Sequence, residues 1–255
     1  MKPVAYVQQQ YGDWRNENCY RVATQFQSWG YEVRPFEYAT EVDIPRATVA
    51  YGTEATIHAL LRKDGRFPPE SPRYPYCLRR TFLDMLPVDT TLGPVREALN
   101  SPEYRSVFIQ PSRDSTLFDG RIVSRVSDIL DLAHLPAHTV LWKCPVINFK
   151  SEYRAYIHKG DLTDMWFLRG DPTVYPDPET VKKLLRASRE VFQTAFTLTF
   201  GVAYFQERPE KIRFPTLLVG CGEIYAEETS CTSSENLAHM ALSRWAQLFS
   251  PKVNK

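Results

Sequence analysis

Two periodicities alternate along the chain. The apolar run at the start, Val4-Ala5-Tyr6-Val7, predicts a buried strand over residues 3–7. From Glu17 to Trp29 the positions Cys19, Val22, Ala23 and Phe26 recur at helical spacing, and Gly30 supplies the stop. Strands are expected over 31–36 and 47–51. Gly52-Thr53 then leads into a helix carrying Ile57, Leu60 and Leu61. This β-α-β-β-α order predicts a small, mostly parallel sheet.

The stretch from Phe67 to Pro75 is too rich in proline for regular structure and is the expected linker. A short helix, Cys77 to Met85, is expected to close a first α/β domain over residues 1–86. The pattern then changes, and residues 87–255 are expected to form a second domain. A helix over 93–99 precedes strand 106–110, a turn-rich segment 111–120, strand 121–123, a helix over 127–132 and strand 139–144. Residues 151–158 alternate, Lys159-Gly160 makes a tight turn and 162–169 returns, which predicts a β-hairpin.

Asp177-Pro178-Glu179 opens a helix with an Asp cap and proline at the first helical position. Its apolar stripe is Val181, Leu184, Leu185, Val191 and Phe192. Strands over 196–206 and 214–219 are expected as antiparallel neighbours. Thr232-Ser233-Ser234-Glu235 reads as a capping box before a last helix with Leu237, Ala241, Trp245 and Leu248. The fold class is therefore α+β, with antiparallel sheets preceded by a small α/β domain.

The hairpin carries the best-defined polar site. Side chains alternate along a strand, so Lys150, Glu152 and Arg154 share one face. With a two-residue turn, Arg154 lies opposite Met165 and Lys150 opposite Arg169. Three cations around Glu152 suit the binding of a phosphate or carboxylate. The alternative is a solvated hairpin face with exposed ion pairs worth little.

Composition narrows the function classes. A formal net charge of +1 gives no overall electrostatic case for nucleic acid or an anionic membrane. No stretch reaches the roughly 18 apolar residues of a membrane helix, and the first apolar run is shorter than the core of a signal peptide. The five cysteines, Cys19, Cys77, Cys144, Cys221 and Cys231, contain no C-x-x-C pair. Reduced thiols and a cytoplasmic location are the expectation. His134 and His138 flank Pro136, which argues against one helical metal face. Gly220-Cys221-Gly222 reads as a tight turn or bulge rather than a phosphate loop.

Three segments, Val107-Phe108-Ile109-Gln110-Pro111, 117–123 (LFDGRIV) and 151–157 (SEYRAYI), in this order of elements, resemble the compact ATP-grasp proteins common in phages and bacterial gene clusters. Tyr51-Gly52-Thr53 resembles the strand-to-helix turn of the small domain that precedes that fold. The resemblance implies that Glu152 and Arg154 form the family's Glu-x-Arg pair, with Arg169 beside them as a catalytic group. It implies adenine contacts at Lys143, Cys144 and Val146, with Lys150 also on the nucleotide side. Phe118 and Gly120 would belong to the loop over the phosphates. Gln110 stands where the family carries a lysine on the α-phosphate.

The metal-binding acids of the family, an Asp and then a Glu-x-Asn on the last two strands, have no clear counterpart. Residues 196–202 contain no acid, and Glu223 and Glu227 are left as the implied Mg²⁺ ligands, with Glu228 nearby. The implied function is an ATP-dependent carboxylate-amine ligase that works through an acyl phosphate. ATP and Mg²⁺ would be its cofactors and a small molecule or peptide its substrate. One alternative is a catalytically degenerate descendant that binds a nucleotide or a protein partner. Another is a nucleic-acid-associated protein using the basic hairpin face.

Overall fold

The computed structural model describes residues 2–69, 88–112, 117–188, 194–208, 211–225 and 232–250. The expected helix over 77–85, most of the proline-rich linker, the boundary at 86/87, Val191, Phe192, Glu227 and Glu228 lie outside the described residues. So do Cys77 and Cys231.

β1 (Val4–Gln10) is the centre of the first sheet, pairing in parallel with β3 (Glu32–Phe36) and β4 (Ala47–Tyr51). Val4, Ala5, Tyr6 and Val7 are all buried, as expected for a strand covered on both faces. A two-residue turn at Tyr11-Gly12 returns the chain as β2 (Asp13–Trp14) against the end of β1. Helix α1 (Glu17–Ser28) is capped by Asn16, whose side chain accepts from the Cys19 amide at 2.9 Å. Thr53 caps α2 (Glu54–Lys63) in the same way. The mostly parallel α/β unit read from the sequence is present.

Next come β5 (Val88–Thr91), α3 (Leu92–Ala98), β6 (Val107–Pro111), β7 (Arg121–Val123) and β8 (Val140–Pro145). Their strands form an antiparallel sheet in the order β5-β8-β6-β7. One face packs Ile109, Val123 and Leu141 against Leu92, Val95, Ile129 and Leu132. The expected helix over 127–132 is a 3₁₀ helix, Val126–Leu132, anchored by Asp128 accepting from the Ser124 and Arg125 amides.

β9 (Phe149–His158) and β10 (Asp161–Gly170) form the expected hairpin, and Lys159 and Gly160 both take positive φ in its turn. Helix α4 (Pro178–Ser188) follows, capped as expected by Asp177, which accepts from Thr180 N at 2.8 Å and Thr180 Oγ1 at 2.6 Å. The expected strand over 196–206 divides into β11 (Ala195–Ala203) and β12 (Phe205–Arg208). The one over 214–219 divides into β13 (Lys211–Arg213) and β14 (Thr216–Gly222). β12 and β13 form a separate hairpin, while β11 and β14 are antiparallel neighbours in a sheet ordered β10-β9-β11-β14.

In that sheet Ala155, Ile157, Phe196, Leu198 and Phe200 pack on Val181 and Leu184 of α4. The last helix, α5 (Ser234–Phe249), starts one residue later than the sequence suggests, because Ser233 rather than Thr232 is the cap. It contacts α1 and β4 of the parallel unit and also β11. Tyr156 and Ala195 accordingly share one core with Ala5, Val49, Ala238 and Trp245. No helix among the described residues is long and apolar enough to cross a membrane.

Candidate functional site

With Ala155 and Ile157 committed to α4, the alternate residues Glu152, Arg154 and Tyr156 take the opposite face of β9. Opposed residues of an antiparallel pair share a face. Across the sheet this gives one row of Trp166, Arg154, Thr199 and Gly220. A second row holds Arg169, Glu152 and Gly201, and a third holds Asp164, Tyr156, Thr197 and Gly222.

The hairpin register differs from the simple alternation. β10 carries two irregularities, between Leu162 and Asp164 and between Phe167 and Arg169. Each extra residue slides the register by one. Arg154 is therefore opposite Trp166 instead of Met165, and Arg169 is opposite Glu152 instead of Lys150. Arg169 Nη2 donates to Glu152 Oε1 at 2.6 Å. The Glu152 side chain is 8% exposed and that of Arg169 76%, so a buried carboxylate anchors a cation that reaches solvent. Lys150 departs from this cluster. It sits at a register shift between β9 and β11, and its ammonium lies 4.8 Å from the centre of the Tyr204 ring.

The neighbouring strands offer hydroxyls and space instead of acids. Thr197 and Thr199 stand on β11 and two glycines on β14. A side chain at Gly220 would meet nothing within 4 Å, whereas one at Gly222 would meet Thr197 Oγ1 at 3.1 Å. Gly220-Cys221-Gly222 is thus strand, with the register shift that its sequence suggested falling beside it at Val219. Among the described residues no three His, Cys, Asp or Glu side chains are grouped to hold a metal.

The expectation that Glu223 is a metal ligand is corrected by its partner. Arg244 on α5 donates from Nε to Glu223 Oε2 at 2.9 Å and from Nη2 to Oε1 at 2.5 Å. Both oxygens are engaged in the interior, where burial pushes the Glu223 carboxyl above its usual range despite that guanidinium. Glu227 lies outside the described residues.

On the β5-β8-β6-β7 sheet, Phe108 pairs with Cys144 and Gln110 with Trp142, so these four share a face. Ile109 pairs with Lys143, which puts Lys143 on the other face, toward the helices. Burial pushes the Cys144 thiol up to about 11, which makes it a poor nucleophile. Val146 follows β8 in the linker to β9 and is 42% exposed. Gly120 lies against this face, since a side chain there would meet Phe108 Cζ at 2.5 Å and Gln110 Cβ at 3.4 Å. Phe118 does not extend over a ligand. It is buried among Ile109, Val123 and Ile129, because its apolar ring is better placed in that core than in water.

Sequence reading brought Glu152, Arg154 and Arg169 together on one face, whereas the shared face of Gln110 and Cys144 follows from the sheet register. It missed Trp166 and Arg244, and it read Gly220 only as part of a tight turn or bulge. Trp166 was hidden by the bulges, and the Glu223–Arg244 pairing spans two elements with no local signature.

Residues 88–240, more than half of the chain, match the family model of the ATP-grasp domain, R2K clade family 2. None of the curated proteins matches the chain in sequence. Among solved structures, a RimK domain protein ATP-grasp from Sphaerobacter thermophilus aligns over 95% of this chain and 99% of its own, with 13% identity and TM-score 0.58. D-alanine–D-alanine ligase from Bacillus anthracis, complexed with ATP, aligns over 97% and 98%, with 10% identity and TM-score 0.57. Macrocyclase MdnC from Microcystis aeruginosa, bound with precursor peptide MdnA, aligns over 94% and 99%, with 11% identity and TM-score 0.56. At these identities the likeness establishes the fold.

Proposed function

Because the chain belongs to the ATP-grasp domain family, R2K clade family 2, we propose that it binds ATP between its two four-stranded antiparallel sheets and acts as a carboxylate-amine ligase. One observation carries the reading: Arg154 stands in the row next to the Glu152–Arg169 pair, on the sheet face left open by α4. Two guanidiniums beside one buried carboxylate suit an anionic ligand whose charge grows during reaction. The proposed division is a small domain over residues 1–86 and an ATP-grasp domain over 87–255.

In this reading a substrate carboxylate oxygen attacks the γ-phosphorus of ATP and ADP departs, leaving an acyl phosphate. An amine then attacks the acyl carbon and inorganic phosphate leaves. Arg154 holds the transferring phosphoryl oxygens, Arg169 meets the incoming carboxylate, and Glu152 fixes the direction of Arg169. The resemblance to a ligase complexed with ATP and to a macrocyclase bound with its peptide supports ATP and a small-molecule or peptide substrate. The described residues do not fit a Mg²⁺ site, since the open face holds threonines and glycines and Glu223 is spent on Arg244.

That same set of residues favours a second reading, a descendant that binds nucleotide without turning it over. Titration calorimetry with ATP, with and without Mg²⁺, separates the two when combined with an assay of ADP release on adding mixed amino acids and peptides. The ligase reading expects metal-enhanced binding and substrate-dependent ADP. Binding indifferent to Mg²⁺ with no ADP formed leaves the second reading, and absence of binding defeats both.

A further inference from the structure

The β6 face carries a polar side chain that the fold does not use. Gln110 is 8% exposed, and its side-chain amide makes no hydrogen bond among the described residues. Its polar atoms are not among the fully enclosed, unpartnered ones, so the largely buried side chain keeps its amide open to water or a ligand on this face. The next residue on that side of the chain, Ser112, has a buried and unpartnered hydroxyl. Both groups are directed away from the core formed by Ile109 and Leu141.

What surrounds Gln110 is flat and largely apolar. Phe108, Ile122 and Cys144 form one row on its face, and Trp142 and Asp89 continue its own row. Trp142 Nε1 donates to Asp89 Oδ1 at 2.6 Å, which holds a carboxylate on this side of the sheet. No lysine or arginine shares these two rows. A phosphate here would lose water against a neutral amide and stand near an anion, with no lysine or arginine of the described rows to offset its charge. A nucleobase fits better, being neutral, planar and suited to aromatic walls.

An amide also presents a donor and an acceptor side by side. The edge of adenine offers the complement, N7 as acceptor and the 6-amino group as donor, while guanine replaces that donor with O6. Resting on the nucleotide-binding reading above, we infer that Gln110 reads the N6/N7 edge of adenine and sets the preference for ATP over GTP.

The test uses the full chain and titration calorimetry with ATP, GTP and 7-deaza-ATP, which lacks the N7 acceptor. Wild type is expected to bind ATP about tenfold more tightly than either of the others, the scale of discrimination that an amide on a base edge gives. Gln110→Met keeps the length and removes both polar groups. It should weaken ATP about tenfold, weaken 7-deaza-ATP by less because only its 6-amino contact is lost, leave GTP nearly unchanged, and so abolish the preference. Gln110→Ala, checked by its melting temperature, should do the same. An equal loss for all three nucleotides would overturn the inference in favour of a phosphate contact, as would ATP binding that ignores both substitutions. Wild type that binds none of the three defeats the nucleotide-binding reading itself and this inference with it.

Discussion

Arg244 on α5 and Glu223, just past β14, hold each other through two hydrogen bonds in the interior, with side chains 3% and 5% exposed. Arg244 Nη1 also donates to Gln247 Oε1 at 2.8 Å, and the same oxygen accepts from the Thr194 amide at 3.0 Å. One guanidinium thus ties the last helix to the exit of the edge strand β14 and, through Gln247, to the entrance of β11.

Removing one partner leaves a buried charge without compensation. Arg244→Met should lower the unfolding free energy by about 3–5 kcal/mol. Arg244→Met with Glu223→Leu should recover much of that loss, because the carboxylate no longer needs to be solvated. Urea denaturation of the wild type and the two variants measures both steps. A single substitution that costs under about 1 kcal/mol would contradict the buried pairing.

Much of the fold was legible because it rests on local periodicity. The run Val4 to Val7, the helical stripe from Cys19 to Phe26 and the alternation from Ser151 to His158 each name their element without reference to the rest of the chain. The pairing of Glu152 with Arg169 was not legible. It depends on two bulges in β10, and no residue type announces a bulge of that kind. Phe118 was misplaced for a related reason: a short motif fixes sequence order, while the packing of the β7 region fixes which way a ring turns. Glu223 shows the limit most clearly, since its partner lies 21 residues away on another element.

Gly201 lies opposite Glu152 on the open sheet face, and a side chain there would meet the Phe149 ring at 2.3 Å. Gly201→Ala forces that ring to move, at a cost of about 1–3 kcal/mol. Phe149→Leu alone loses ring contacts. Combined with Gly201→Ala it should cost less than the sum of the two single changes, because the smaller side chain admits the methyl group. Thermal unfolding of the four proteins gives the coupling. Strict additivity would mean that Phe149 does not cover Gly201.

His158 at the end of β9 holds its Nε2 2.7 Å from Ser243 Oγ. Burial pulls its pKa below the ordinary 6.5, helped by the charges of Lys159 and His239. The unfolded chain therefore takes up a proton on this residue before the folded one does. The resulting stability is fully present above pH 6.5 and is lost as the pH falls through the lowered folded value. NMR titration of the imidazole should place its midpoint below 6.5. His158→Gln should make stability less dependent on pH across that window. A midpoint at or above the ordinary histidine value would refute the argument.

Arg154 and Arg169 make the sharpest contrast within the site, because both are cations on one face but Arg154 is only partly exposed while the Arg169 side chain is largely in solvent. Arg154 stands in the middle of its row, between Trp166 and Thr199, and Arg169 lies on the edge strand with a side chain 76% exposed. A guanidinium in the less hydrated position interacts more strongly with an anion, since less water screens it. Arg154→Ala should weaken ATP binding at least tenfold, on the order of 1.4 kcal/mol, and should flatten the dependence of affinity on salt. Arg154→Lys should restore only part of the loss, since an ammonium keeps the charge but not the planar fork. Arg169→Ala should change ATP affinity less than threefold and act instead on the carboxylate substrate. Calorimetry at two salt concentrations, with melting temperatures as a check on folding, measures all three variants. If Arg169→Ala weakens ATP as much as Arg154→Ala does, the two guanidiniums share the phosphate and the division of roles fails.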